Sequence, residues 1–497
     1  MKSGFLLAID QGTTNTKGLL LNRCGTPSFM ATAPVGWIHS GLGHVEQDPE
    51  EIWLSVLGVI GECASYASRS GNSIEALALS NQRETATAWH ALTGAPISNA
   101  IGWQCQRSAE ICRRLQPHAE MIRARTGLPL ATLLSAGKWA WLLENSPKAR
   151  NLSEAAALRL GTVDSWLIHR LTGGSVHATD FSNASRTGLL NLETLAWDTD
   201  LLNLFGLTPD AMPELRSSCG SFGVCSVVPE LNGVPILAAI GDSHAAMFGH
   251  GQYASGTVKA TYGTGSSLMA LTPGLAADTP ALARTIAWSI GGKTQFALEG
   301  NIAMTGSAVQ WVGEFLHLAE PAHDAASLAE TVPDADGVYF VPAMVGLGAP
   351  HWDPSARGTI AGLCRSHSPA HVARAAIDAI AYQVADVFFA MQSSGGLAFS
   401  ALRADGGAAR NRQLMHFQAD ILGAPVLRSG DLELSALGAS FLAGLALGWW
   451  NDLDEIAALP HPVDSFQPAM HVEDRKRLYA GWKTAVARAR LKAEADA

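Results

Sequence analysis

Between Phe5 and Leu21 the chain reads FLLAIDQGTTNTKGLLL: an apolar run ending in a carboxylate at Asp10, a turn through Gly12-Thr13-Thr14, and a second apolar run carrying Lys17. This pattern predicts strand, turn, strand. Glycine lets backbone come close to a ligand, consecutive turn amides can point at anionic oxygens, and two threonine hydroxyls plus an ammonium add donors. Such a turn suits phosphates. An aspartate beside phosphates calls for a cation, and Mg²⁺ keeping most of its waters can sit between a carboxylate and phosphate oxygens. An ordinary hairpin with a Gly-Thr turn satisfies the same residues.

The device recurs in the second half. TVKATYGTGSSLMAL sets Gly263-Thr264-Gly265 between two strand-like runs, and ALRADGGAARN sets Asp405-Gly406-Gly407 after another. No GxxxxGK[ST] pattern occurs in the chain, which disfavours a P-loop fold. Asn411 opens a segment with Leu414, Phe417 and Ile421 at helical spacing, so the Gly406-Gly407 turn lies near a helix N-terminus able to take an adenosine phosphate or ribose.

At 497 residues the chain is long enough for two domains. Its 47% hydrophobic and 16% charged composition excludes disorder, and a net charge of -10 without a basic run argues against a nucleic-acid surface. The expected partner is a small molecule. The N-terminal apolar stretch is short and broken by Asp10, so no export segment is expected and the expected location is cytoplasmic. The apolar run Leu437 to Trp450 falls short of the roughly 20 residues of a membrane helix and reads as a buried helix. Seven cysteines show neither CxxC pairs nor histidine-spaced ligand sets, which predicts reduced, mostly structural thiols.

Alternating strand-like and helical runs indicate an α/β class. Strands are expected over Phe5 to Leu21, Ala76 to Leu79 and Val234 to Ile240, and a helix after Ser368-Pro369 with Val372, Ala376, Ile380 and Val384 on one face. The glycine-rich stretch from Phe248 to Thr257 is the expected domain boundary, giving residues 1–248 and 249–497. Related phosphate turns in the two halves suggest duplicated domains.

Three residues suit a polyol. Arg83 and Glu84 follow a strand-like run, where a guanidinium and a carboxylate can bind adjacent hydroxyls, and the indole of Trp103 can cover the carbon chain. A surface salt bridge and a core tryptophan would look the same. Asp242, at the end of VPILAAI beside Gly241, can accept a proton from a substrate hydroxyl, or can cap a helix. Ser243 and His244 have no GxSxG surroundings, which argues against a nucleophilic serine.

These residues carry a resemblance. AIDQGTTNTKG, NQRETATAWH, IGWQCQRSAEIC, GTVDSWLIHRLTGG, TDFSNASRTGLLN, YGTGSSLM, GLGAPHWDPSARGTIAGL and DGGAARN, in this order over nearly the whole chain, resemble the FGGY carbohydrate kinases, above all their glycerol kinase branch. The resemblance implies two actin-like, ribonuclease-H-like α/β domains flanking a catalytic cleft that closes around ATP and sugar. The first would bind polyol, the second nucleotide. It implies ATP and Mg²⁺ as cofactors, and a homodimer or homotetramer as the assembly. Thr13, Thr14, Asn15 and Lys17 would line the ATP phosphates, with Thr264, Gly306, Gln310, Gly407 and Asn411 completing the nucleotide site. Asp10 and Asp242 would face the metal. Arg83, Glu84, Trp103 and Asp242 would contact the acceptor, with Asp242 as base.

There are departures from the glycerol kinase pattern. Leu133 stands where that branch has a substrate tyrosine, Ser243 where it has a glutamine, Ser267 where it has a phenylalanine, and Lys17 where it has an arginine. Smaller side chains at the first three imply a wider pocket, so a larger polyol or a ketose such as erythritol or a pentulose stands beside a small polyol as the expected acceptor. A non-catalytic ATP or sugar sensor on the same fold is the further alternative. The segment Cys225 to Pro235 lacks the glycine-and-arginine loop through which some of these kinases bind fructose bisphosphate.

Overall fold

A computed structural model describes residues 4–251, 253–430 and 433–491. The chain folds into two compact units. The first runs to Tyr253 and includes Arg284–Phe296 and Glu433–Pro460; the second holds Ala254–Ala283, Ala297–Leu432 and the chain from His461.

In the first unit the expected strand, turn and strand are β1 (Phe5–Gln11) and β2 (Asn15–Leu21), paired antiparallel, with β3 (Pro27–Pro34) beyond them. Helix α1 (Pro49–Arg69) starts where Asp48 accepts the Glu50 N–H at 2.9 Å and Pro49 fills the first turn, a position that needs no amide donor. Its Ile52, Val56, Val59 and Ile60 pack on Leu7, Ile9 and Leu79 of the sheet, all fully buried. Truncating one such side chain to alanine costs about 2–5 kcal/mol.

Strand β4 (Ile74–Asn81) extends the Ala76 to Leu79 run and lies parallel to β1; β5 (Ile236–Gly241) lies parallel to β4. The sheet order is β5-β4-β1-β2-β3. Register matters most here: Gln11 pairs with Asn81, and Asn81 with Gly241. Three parallel strands therefore end in one row, which sets Gly12, Arg83 and Asp242 just past the carboxyl ends, where open α/β sheets bind ligands. Asp242 opens helix α2 (Asp242–Gly249), whose cap position is Gly241.

The second unit repeats this plan. β6 (Thr257–Tyr262) and β7 (Ser266–Thr272) form the hairpin predicted around Gly263-Thr264-Gly265, and β8 (Lys293–Ile302) follows in the order. Helix α3 (Gly306–Phe315) follows, and further along the chain comes the long helix α4 (Pro369–Gly395). Ala376, Ile380 and Val384 of α4 are buried as their spacing predicts, while Val372 is only partly so. β9 (Ala401–Asp405) lies parallel to β6, and β10 (Val426–Ser429) parallel to β9. Between them, α5 (Arg412–Leu422) is capped by Asn411, whose side chain accepts the Leu414 N–H at 2.9 Å. Five consecutive strands of a seven-stranded sheet, in the order β10-β9-β6-β7-β8, match the strand order of the first unit.

The expected division is at 248/249; in the observed units the first unit runs on to Tyr253 and also takes in the later segments 284–296 and 433–460. The cause is visible for helix α6 (Leu434–Leu447), the apolar run read from the sequence as a buried helix. It packs on β1, β4, β5 and α2. Its crossing with α2 is closed by glycine. A Cβ on Gly249 would stand 2.4 Å from the Leu434 carbonyl oxygen, and one on Gly438 would stand 1.9 Å from that of Ala245.

The seven cysteines are all free thiols; Cys63, Cys105 and Cys225 are buried, while Cys24 and Cys364 are exposed. Among the described residues no helix is long and apolar enough to cross a membrane.

Candidate active site

Amide side chains shape the first phosphate-type turn. Gly12 N–H bonds the Asn15 carbonyl at 2.9 Å, and Gln47 Nε2 donates to the Thr13 carbonyl at 2.9 Å. Gln82, just past β4, donates to Gln11 Oε1 at 3.0 Å and to Gln47 Oε1 at 2.7 Å. The turn is thus fixed by backbone and amide contacts. Thr13 Oγ1 accepts from Trp103 Nε1 at 3.1 Å, and Thr14 Oγ1 accepts from Asn15 Nδ2 at 3.1 Å.

Asp10 pairs across the hairpin with Lys17. Burial pushes its carboxyl up to about 6, helped by the negative charge of Asp242, while a hydrogen bond from Ser80 and the charge of Lys17 pull the other way. One carboxylate oxygen, Oδ1, is buried with no hydrogen-bond partner among the described residues. Lys17 Nζ is engaged by Glu433 Oε2 at 2.5 Å, a partner that sequence spacing does not suggest.

Arg83 and Glu84, read from the sequence as suited to a polyol, are both buried, which excludes the surface salt bridge. Arg83 Nε lies 3.3 Å from Asp242 Oδ1, and the same oxygen accepts the Ser243 N–H at 2.6 Å. Arg83 is buried and Asp242 partly exposed. Glu84 is buried and adopts a left-handed backbone, φ +61°, a conformation that costs about 1–3 kcal/mol outside glycine. The strain is held from two sides. Ser135 Oγ and Lys138 Nζ each donate to the Glu84 carbonyl at 3.0 Å, and Arg186 Nε donates to Glu84 Oε1 at 2.7 Å. Burial lowers Lys138 to about 7, with the Glu84 charge opposing it. Trp103 is partly buried and its N–H bonds Thr85 Oγ1 at 3.2 Å. Leu133 and Ser243 are also partly buried, the Leu133 carbonyl accepting from Lys138 at 2.6 Å.

In the second unit the glycine turn is tied to the start of α3. Gly306 N–H bonds the Gly263 carbonyl at 3.0 Å, and Ser307 N–H the Thr264 carbonyl at 3.1 Å. Side chains would not fit. A Cβ on Gly265 would lie 2.5 Å from the Ile302 carbonyl oxygen, and one on Gly306 would lie 2.6 Å from that of Gly263. Because Thr261 pairs with Asp405, the Gly406-Gly407 turn leaves the sheet beside this hairpin. Gly406 has φ +92° and abuts the Tyr262 backbone, whereas a Cβ on Gly407 would meet open space. Thr264, Gly306 and Gly407 thus share one edge. Gln310 lies one helical turn past Gly306 and donates to Glu314 at 2.7 Å, Asn411 caps α5, and Ser267 Oγ donates to the buried Glu299 at 3.2 Å.

Sequence reasoning does not single out Arg186, Glu433 or the amides Gln11, Gln47 and Gln82. Arg186 lies within TDFSNASRTGLLN, so a signal is present, but nothing in its spacing points to Glu84.

Two family models match the chain, the N-terminal domain of the FGGY family of carbohydrate kinases over residues 5–249 and its C-terminal domain over residues 258–447. Glycerol kinase of Symbiobacterium thermophilum is 44% identical over 493 residues, covering 99% of each chain. Glycerol kinase of Koribacter versatilis is 44% identical over 491 residues, covering 98% of this chain and 99% of the other. The crystal structure of Plasmodium falciparum glycerol kinase with ADP superposes with a TM-score of 0.92 at 31% identity, covering 99% of each chain.

Proposed function

The chain belongs to the FGGY family of carbohydrate kinases and is an ATP-dependent kinase of the actin-like, ribonuclease-H-like fold, and from that premise we propose that it moves the ATP γ-phosphoryl group to a terminal hydroxyl of a small polyol. The observation that carries this reading is the common row of strand ends, which sets Asp10, Arg83 and Asp242 side by side in the first unit.

In this reading Glu84 and Arg83 grip neighbouring hydroxyls, Trp103 covers the carbon chain, and Asp242 accepts the proton of the attacking hydroxyl. Such a base contributes roughly 10²- to 10⁴-fold. Thr13, Thr14, Asn15 and Lys17 serve the phosphates from the first unit. Thr264, Gly306, Gln310, Gly407 and Asn411 serve the nucleotide from the second. Asp10 Oδ1, buried and without a hydrogen-bond partner among the described residues, and the neighbouring Asp242 form the oxygen-only pair that suits Mg²⁺, which takes one or two carboxylates together with phosphate oxygens. Such an ion, when bound, neutralises phosphate charge. As part of the same reading the protein works in the cytoplasm as a homodimer or homotetramer, which sedimentation at assay concentration checks.

Leu133, Ser243 and Ser267 favour a second acceptor class, a larger polyol or ketose, because each is a smaller side chain than the glycerol kinase pattern has at that position. A coupled ADP-release assay over glycerol, erythritol and xylulose, scored by kcat/KM, separates the two. Highest values for glycerol support the first reading. Highest values for erythritol or xylulose move the assignment to the second, and no acceptor-dependent ADP release points to a sensor.

A further inference from the structure

We propose that Arg186 is a positioning residue that sets acceptor affinity by fixing which oxygen of Glu84 meets the substrate; the proposal rests on the polyol-kinase reading above. Both side chains are almost fully buried, Glu84 at 4% and Arg186 at 2% exposure. Buried ion pairs contribute little net stability compared with apolar side chains of the same volume, so such a pair beside a substrate contact calls for another reason.

Geometry supplies one. Arg186 Nε donates to Glu84 Oε1 at 2.7 Å, and among the described residues nothing donates to Oε2. One oxygen is occupied, leaving one for a hydroxyl. The Glu84 backbone is pinned at its carbonyl by Ser135 and Lys138, so the carboxylate is fixed from both ends.

Arg186 is itself anchored. It follows the short helical turn Phe181–Ala184, where buried Asp180 accepts from the Ser182 and Asn183 backbone amides, from both of their side chains and from Ser218 Oγ. Asn183 exchanges two 3.0 Å hydrogen bonds with Asn81 at the end of β4, and Ser182 Oγ accepts the Gly241 N–H at 2.9 Å at the end of β5. The turn that carries Arg186 is therefore bonded to the strand ends that carry Arg83 and Asp242. A brace of this kind holds binding groups in place before substrate arrives, and a displacement of about 1 Å can cost about 10²-fold.

The test measures kcat, polyol KM, ATP KM and melting temperature for Arg186→Gln and Arg186→Lys, with the best polyol for the unaltered protein. Arg186→Gln is expected to raise polyol KM by roughly tenfold to a hundredfold with ATP KM within about twofold. Arg186→Lys, which keeps the charge but not the planar fork, is expected to recover part of that loss. A polyol KM within about twofold of the unaltered protein in Arg186→Gln overturns the proposal, as does a fall of kcat in step with lost folded protein. If Arg186→Gln does not fold, Arg186→Lys decides: raised polyol KM at unchanged ATP KM supports the role, and unchanged polyol KM overturns it. If neither variant folds, Arg186 is structural and the proposal fails. Should the unaltered protein phosphorylate no polyol, the underlying functional reading fails instead.

Discussion

The β1–β2 turn and the β6–β7 turn occupy the same place in a five-strand order that both sheets contain, yet different groups surround them. Around the first, ionisable side chains crowd the strand ends: Asp10 and Lys17 on the hairpin, Arg83 and Asp242 past β4 and β5. Around the second, Gly265 and Gly306 lie so close to neighbouring carbonyls that no side chain fits there, and the hydroxyls of Thr305 and Ser307 bond the Gly263 and Thr264 carbonyls. In the reading proposed above, the first unit supplies charge for acceptor and metal, and the second supplies close backbone approach for a nucleotide.

The largest break in this contrast comes from the acids. Asp242→Asn should lower turnover by roughly 10²- to 10⁴-fold while leaving ATP binding by calorimetry near its original value. Near-normal turnover would remove Asp242 from the chemistry. Glycine substitutions sharpen the backbone half. Gly265→Ala, with its Cβ 2.5 Å from the Ile302 carbonyl oxygen, should destabilise by about 1–3 kcal/mol in denaturant unfolding. Gly12→Ala, whose Cβ would meet only the Asn15 carbonyl oxygen at 3.1 Å, should cost less. The reverse order would mean that the two turns are not built differently.

How far the contrast is legible in the sequence follows from distance along the chain. Both hairpins, the Asn411 cap and the buried face of α4 are local patterns, and all are present where spacing places them. Arg186 meets Glu84 across 102 positions and Lys17 meets Glu433 across 416, and no periodicity encodes such pairs. The return of α6 to the first unit is equally hidden, because its apolar sequence says that it is buried but not against which sheet.

Titration gives intermediate effects. Asp10 has a folded pKa of about 6, above its ordinary 3.8, so its contribution to the stability of the metal-free protein is full below 3.8 and is lost as pH rises through about 6. Metal binding needs the ionised form. Apparent Mg²⁺ affinity in the presence of ATP should therefore fall below about pH 6, and Asp10→Asn should weaken it and flatten that dependence in a metal titration. Lys138 runs oppositely: its folded pKa of about 7 lies below its ordinary 10.5, so its contribution rises with pH across that window and is lost as pH falls through about 7. Lys138→Met should flatten the pH slope of unfolding free energy between those values. The smallest change is expected for Lys17→Arg, which keeps the charge facing Glu433 and should shift ATP KM by no more than about threefold.

The most direct measurement follows ADP and phosphate together by ³¹P NMR as the purified protein consumes Mg²⁺ATP with and without polyol. The account predicts one phosphomonoester on a terminal carbon for each ADP formed, with ADP formation slow when polyol is absent. ADP released equally fast without polyol, or no phosphomonoester with any acceptor, would contradict it.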